Sequence, residues 1–210
     1  MQPTPRRVRL LLLLIASLVV ALPAYAQHEA RITASLSSAF GDGGPAPAVA
    51  LAAAYPVFSR VRLEVEGTYV RSLDFGSYQS CPPTLFCAAV VSFPFTLTGD
   101  AASLGGNVVA ELPWRARRIR PYVVAGAGMA HVRRERLERW YDGRTFFSTL
   151  SSTGPLITAG GGVEFLLGRG VTLAADARYQ RTYEKDQFHR IDIPPNLDLV
   201  RIGSSVGYRF

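Results

Sequence analysis

Three histidines, His28, His131 and His189, are the side chains best suited to proton transfer near neutral pH in this chain. Nucleophilic hydrolysis needs a hydroxyl or thiol within hydrogen-bond reach of such a base. His131 is followed by Ser148, Ser151 and Ser152, whereas His28 and His189 have no such company in their segments. Two cysteines, Cys81 and Cys87, enclose Pro-Pro-Thr-Leu-Phe. A zinc site needs further ligands, and the nearest histidine in sequence is His131, so the pair reads as a disulfide if the chain is exported. The densest charge lies in Arg133-Arg134-Glu135-Arg136-Leu137-Glu138-Arg139-Trp140. Its guanidiniums at Arg133, Arg134, Arg136 and Arg139 suit phosphate oxygens, and the same residues would equally suit cross-strand ion pairs on a solvated strand extension.

A second set of charges is spread through the chain at even spacing: Arg62, Glu64, Glu66, Glu111, Glu164, Asp176, Arg178, Arg201 and Arg209. Each sits among apolar residues that alternate with it. Val61, Leu63, Val65, Gly67 and Tyr69, for example, interleave with Arg62, Glu64, Glu66 and Thr68. Period-two alternation describes a β-strand with one apolar and one polar face. Eight such segments are expected, at about 30–41, 48–55, 61–73, 101–112, 121–131, 155–167, 171–183 and 197–210, separated by turn residues. The connections near 58, 116 and 169 are short. Those near 87 (about 74–100), 144 (about 133–154) and 190 (184–196) read as long loops, and the one near 43 is intermediate.

The first 26 residues have a different character. Arg6, Arg7 and Arg9 precede an apolar run from Leu10 to Leu22, then Pro23 and Ala24-Tyr25-Ala26. That is the layout of a secretory signal peptide cleaved after Ala26, and the run is short for a helical span of ~20 residues. The expected mature part, 27–210, fits one domain. Removing the three leader arginines lowers the formal charge from +7 to +4. This mild excess, with Lys185 the only lysine and no Arg/Lys–aromatic recognition module, argues against nucleic acid.

Alternation alone fits a soluble sandwich as well as a barrel in lipid. Two features favour lipid. Charges of both signs on the polar face can pair inside a closed eight-stranded cylinder, where side chains just fill the lumen. Aromatics also fall near strand ends on the apolar face, at Phe40, Tyr55, Tyr69, Tyr122, Tyr183, Tyr208 and Phe210, as an interfacial girdle requires. The expectation is an all-β, eight-stranded, antiparallel, up-and-down transmembrane β-barrel. Short turns would face the periplasm and long loops the exterior. An arginine-rich external rim would then meet lipopolysaccharide phosphates. The basic turn with Arg115, Arg117, Arg118 and Arg120 would face the periplasm, near anionic phospholipid headgroups.

The last strand ends Val206-Gly207-Tyr208-Arg209-Phe210. With the Ala-Tyr-Ala site and the eight alternating segments, the chain resembles the small OmpA-like or opacity-type outer-membrane β-barrel family over nearly all of residues 27–210. The resemblance implies a cell outer-membrane location and a structural or surface-interaction role without catalysis or cofactor. It also implies that Tyr208 and the terminal Phe210 are read by the barrel-assembly machinery. Unlike OmpA itself, no peptidoglycan-binding domain is expected after Phe210. Two alternatives accompany this reading. A narrow channel or carrier would use Gly105-Gly106, Gly126, Gly128 and Gly160-Gly161-Gly162 for a lateral opening; the same glycines would otherwise relieve strand curvature or let neighbouring aromatics pack. A lipid A-modifying enzyme would need a His-x-Ser pair on a lipid-facing strand, and the sequence offers none.

Overall fold

The computed structural model describes residues 30–41, 43–80, 93–116, 118–139, 145–183 and 196–210, without the side chains of 76–80, 93–97, 136–139 and 145–148. The leader segment 1–26 and both cysteines, Cys81 and Cys87, lie outside the described residues. Eight strands follow in order: β1 (Arg31–Gly41), β2 (Gly44–Phe58), β3 (Val61–Ser80), β4 (Phe93–Glu111), β5 (Ile119–Arg139), β6 (Thr145–Gly168), β7 (Val171–Tyr183) and β8 (Asn196–Arg209). Each pairs antiparallel with the next, and β1 pairs with β8 from Arg31↔Arg209 to Phe40↔Val200, which closes the cylinder. Closure leaves no unpaired edge within the spanning part, as a sheet in hydrocarbon requires.

The cylinder is apolar outside. Leu36, Leu51, Leu63, Val65, Leu104, Val108, Met129, Ile157, Ile202 and Val206 are all exposed. Their neighbours one residue away point into the lumen, so the sequence alternation becomes an outer lipid face and an inner ionic face. This is a transmembrane barrel. Phe40, Tyr55, Phe58, Tyr69, Trp114, Phe165, Tyr179, Tyr183, Tyr208 and Phe210 add exposed rings on the outer face or at its ends. Val65 lies near the middle of the spanning part of β3, and an arginine there is expected to cost about 2–4 kcal/mol. Urea unfolding of the Val65→Arg protein from lipid vesicles measures this; a cost below ~1 kcal/mol would contradict the assignment of the faces.

Three sequence expectations change. Tyr122 leaves the girdle: it is 5 % exposed and turns into the lumen with Val124. The regions expected as long loops at 74–100 and 133–154 are largely strand, with β4 and β5 paired from Phe95↔Glu138 and β5 and β6 from Arg139↔Thr145. Backbone pairing persists beyond the lipid while side-chain alternation fades, because water on both faces removes the selection for a greasy side. The connection near 43 is tight, with Gly41 opposite Gly44.

The two ends of the cylinder therefore differ. At one end the β2–β3 and β6–β7 connections turn briefly. In the latter, Arg169 and Gly170 are both at positive φ (52° and 79°), the geometry of a two-residue hairpin turn. At the other end β3 to β6 run 19 to 24 residues, against 11 to 15 for β1, β2, β7 and β8. A spanning strand needs about 9–11 residues, so these four project roughly ten residues further as a sheet on one side of the rim. The projection begins at a bulge where β3 shifts register between Val70 and Leu73. Ser72 there has φ 55°, and its amide donates to Asp100 at 3.0 Å. The extra residues reverse the facing, so Leu73 and Phe75 point inward.

Candidate functional site in the barrel lumen

Side chains of opposite charge from strands far apart in sequence meet inside the cylinder. In its middle, Arg178 of β7 donates through Nη1 to Glu64 (2.9 Å) and Glu66 (2.5 Å) of β3, and through Nε to Asp176 (3.1 Å). Arg201 of β8 donates to Glu66 (2.5 Å) and to the Thr68 hydroxyl (2.5 Å), and Thr68 donates to Glu66. Asn107 and the Tyr122 hydroxyl donate to Glu64 and Asp176 respectively. Arg178, Arg201, Glu64 and Glu66 are each 6 % exposed or less. Desolvated charges are tolerated only with this degree of pairing.

A second cluster fills the short-turn end. Glu164 is fully buried and takes hydrogen bonds from Arg31 and from Arg209 (2.8 Å), with Arg62 at 3.6 Å. Arg62 also donates to Glu111 at 2.9 Å, and Arg120 approaches the same carboxylate at 3.4 Å. Arg62 lies over the Tyr122 ring, 5.3 Å from its centroid. A small apolar layer, Val109, Tyr122, Val124 and Ala174, packs around the join between the clusters.

Towards the long-hairpin end the lumen turns apolar. Ala39, Ala46, Ala48, Val70, Leu73, Phe75, Ala101, Val132, Leu197 and Leu199 form one buried cluster above the central ions. Arg134 is 3 % exposed and stacks on Phe75, 4.8 Å from the ring centroid. This corrects its expected place on the outer rim: by alternation Arg133 and Arg134 must face opposite ways, and Arg133 is the one outside, 2.7 Å from Glu135. The side chains of Arg136 and Arg139 are outside the described set.

All nine charges expected on the inner face point into the lumen and fall into these two clusters. Sequence reading placed Thr68 on the same face as Glu64 and Glu66, but missed Arg31, Arg120 and Tyr122 as members, and missed the apolar layer. Arg31 was findable by parity, since it stands on the face opposite Ile32 and Ala34. The apolar layer was not, because alanines and valines on both faces of β2 carry no contrast and the bulge at Ser72 reverses the facing of β3.

The glycines are in unbroken ladders. Gly105 pairs with Gly128, and Gly160 and Gly162 stand opposite Arg178 and Asp176. A Cβ on Gly162 would sit 2.8 Å from the Tyr122 hydroxyl, so its bareness leaves room for the ring. These strands show no lateral gap among the described residues.

On the outer face the His131 Nδ1 lies 2.8 Å from the Thr153 hydroxyl, and Ser151 follows on the same face of β6. The pair is exposed, and among the described residues no carboxylate meets the imidazole to orient it as a base. Nor does any group of three or more His, Cys, Asp or Glu among the described residues have a metal-binding arrangement.

No protein-family model matches the chain, and no curated protein matches it either. Among solved structures it is similar to Neisserial surface protein A, with 17 % identity, 87 % of this chain and 96 % of that one covered, and a TM-score of 0.51. It is also similar to a major outer membrane protein from Thermus thermophilus, with 13 % identity, 87 % and 100 % coverage, and a TM-score of 0.56. At such identities the likeness is one of fold.

Proposed function

We propose that the chain is an integral outer-membrane β-barrel with a structural or surface-interaction role and a lumen that does not conduct. The observation that carries this reading is the filling of the lumen. Two ion clusters and an apolar layer stack along the axis, and an ion crossing there would have to break buried pairs and then shed water against Phe75, Leu73, Leu197 and Leu199. Interaction would fall to the four-stranded projection of β3 to β6. It is the part of the barrel that outgrows a membrane's thickness, and its ends carry the segment with Cys81 and Cys87. A disulfide between these two would hold that segment after export through a leader cleaved at Ala26.

In this reading the long hairpins lie outside the cell and the short turns in the periplasm. Arg133, half-exposed beside the outer boundary, is a candidate contact for lipopolysaccharide phosphate, together with Arg139, which shares its parity along β5, whereas Arg136 shares that of Arg134. The pair of Arg133 with Glu135 is half exposed and costs little to exchange. Tyr208 and Phe210, stacked edge to face at 5.2 Å on the outer face of β8, are the candidate signal for assembly.

The test is electrical. Purified protein in planar bilayers is expected to give no steps above background, while unboiled protein migrates faster than boiled protein on a gel. Steady discrete conductance from such folded material would overturn the closed-lumen reading in favour of a narrow channel.

A further inference from the structure

The short-turn mouth of the barrel holds more positive than negative charge around an open space. A cavity of about 80 Å³ there has Arg31, Arg60, Arg62, Arg120, Arg209 and Glu111 in its lining, with uncharged residues of β2 and the β2–β3 turn completing the wall. Beneath it lies Glu164, already shared by Arg31, Arg62 and Arg209. Among the described residues, five guanidiniums here face two carboxylates, Glu111 and Glu164. Within the cluster Arg31, Arg62 and Arg209 are at most 15 % exposed, so their excess charge is poorly screened. The Arg62 Nε is buried and has no hydrogen-bond partner, which ordinarily costs free energy. The central cluster does not have this surplus: there Arg178 and Arg201 face Glu64, Glu66 and Asp176.

We propose that this mouth is an oxyanion site that takes a phosphate group. The cavity has room for roughly five or six waters, or one tetrahedral oxyanion in their place. Planar guanidiniums from four strands and the β2–β3 turn offer forked donors around it. Arg60 and Arg120, the more exposed of the set, stand at the entrance and supply the attraction, while Arg62 supplies the buried donor. Glu111 competes with the anion for Arg62 and Arg120. The phosphate could come from a free ion or from an anionic phospholipid headgroup at the adjoining boundary. The inference stands on the mouth alone and does not depend on whether the lumen conducts.

The experiment uses the full chain, expressed in a bacterium and purified from its membranes in a non-ionic, phosphate-free detergent. Thermal unfolding is followed against inorganic phosphate, with chloride holding ionic strength constant. In parallel it is followed in nanodiscs of phosphatidylcholine with and without phosphatidylglycerol. Saturable stabilisation is expected, weakened roughly tenfold or more in apparent affinity in the Arg60→Gln/Arg120→Gln protein, which keeps the buried pairs intact. Glu111→Gln is expected to tighten binding. Saturation by inorganic phosphate identifies the free ion as occupant; stabilisation by phosphatidylglycerol alone, lost in the double variant, identifies the headgroup. A response no larger than that to chloride, one unchanged in the double variant, or weaker binding in Glu111→Gln overturns the proposal.

Discussion

Replacing Arg178 with methionine is expected to remove about 3–5 kcal/mol of folding free energy, because it strands buried charge with no partner. Glu64, Glu66 and Asp176 all direct oxygens at this one guanidinium, at 2.9, 2.5 and 3.1 Å. Arg201 would remain for Glu66, but Glu64 would keep only the long contact from Asn107. Urea titration of vesicle-inserted protein, followed by tryptophan fluorescence, gives the number. Lysine at the same position should recover part of the loss, since it restores the charge without the fork. Replacing Arg178, Arg201, Glu64, Glu66 and Asp176 together by Met, Met, Gln, Gln and Asn should recover most of it, because removing a whole buried network costs less than orphaning part of one. A loss under ~1 kcal/mol for Arg178→Met would mean that water reaches these carboxylates, and the closed-lumen reading would fall with it.

Gly128→Val is expected to prevent closure of the barrel, leaving no folded, heat-modifiable species on a gel. A Cβ at Gly128 would stand 2.2 Å from the carbonyl oxygen of Leu104 and 2.5 Å from the Cα of Gly105, both backbone atoms that cannot rotate away. Overpacking of side chains ordinarily costs ~1–3 kcal/mol, and backbone contacts of this kind belong at or beyond the upper end. The control is one strand away. Gly106 faces outward with nothing within 4 Å of its would-be Cβ, so Gly106→Val should insert and fold like the parent. If the two variants behaved alike, the tight approach of β4 and β5 at this point would be refuted. The contrast also separates the two uses of glycine that the sequence allowed: the inward ones accommodate curvature and neighbouring side chains in a continuous wall.

The stacking of the lumen gives these predictions a common basis. Charged residues of the central cluster are satisfied by partners on other strands, and the apolar residues above them exclude water instead of competing for it. Polar satisfaction and apolar packing thus occupy separate depths of one cylinder. The outer surface has a similar division, with aliphatic side chains along the strands and aromatic rings towards their ends.

Period-two alternation determined by itself that the chain makes strands with one greasy face, and mixed charges on the other face pointed to a closed cylinder. Side-chain direction in a strand is local, so Arg62, Glu64 and Glu66, or Asp176 and Arg178, reveal their common face within a few residues. Which carboxylate meets which guanidinium depends on register between strands more than a hundred residues apart, as for Arg178 with Glu64, and only closure of the sheet sets that. Tyr122 and Arg134 were misread for related reasons. An aromatic ring suits either a lipid boundary or a crowded lumen, and an arginine in a charged run shows its direction only once the strand is known to continue through it. At Ser72 the chain adds residues and reverses its facing, turning Leu73 and Phe75 inward; a bulge of this kind is fixed by pairing with β4 and leaves no mark in hydrophobic periodicity.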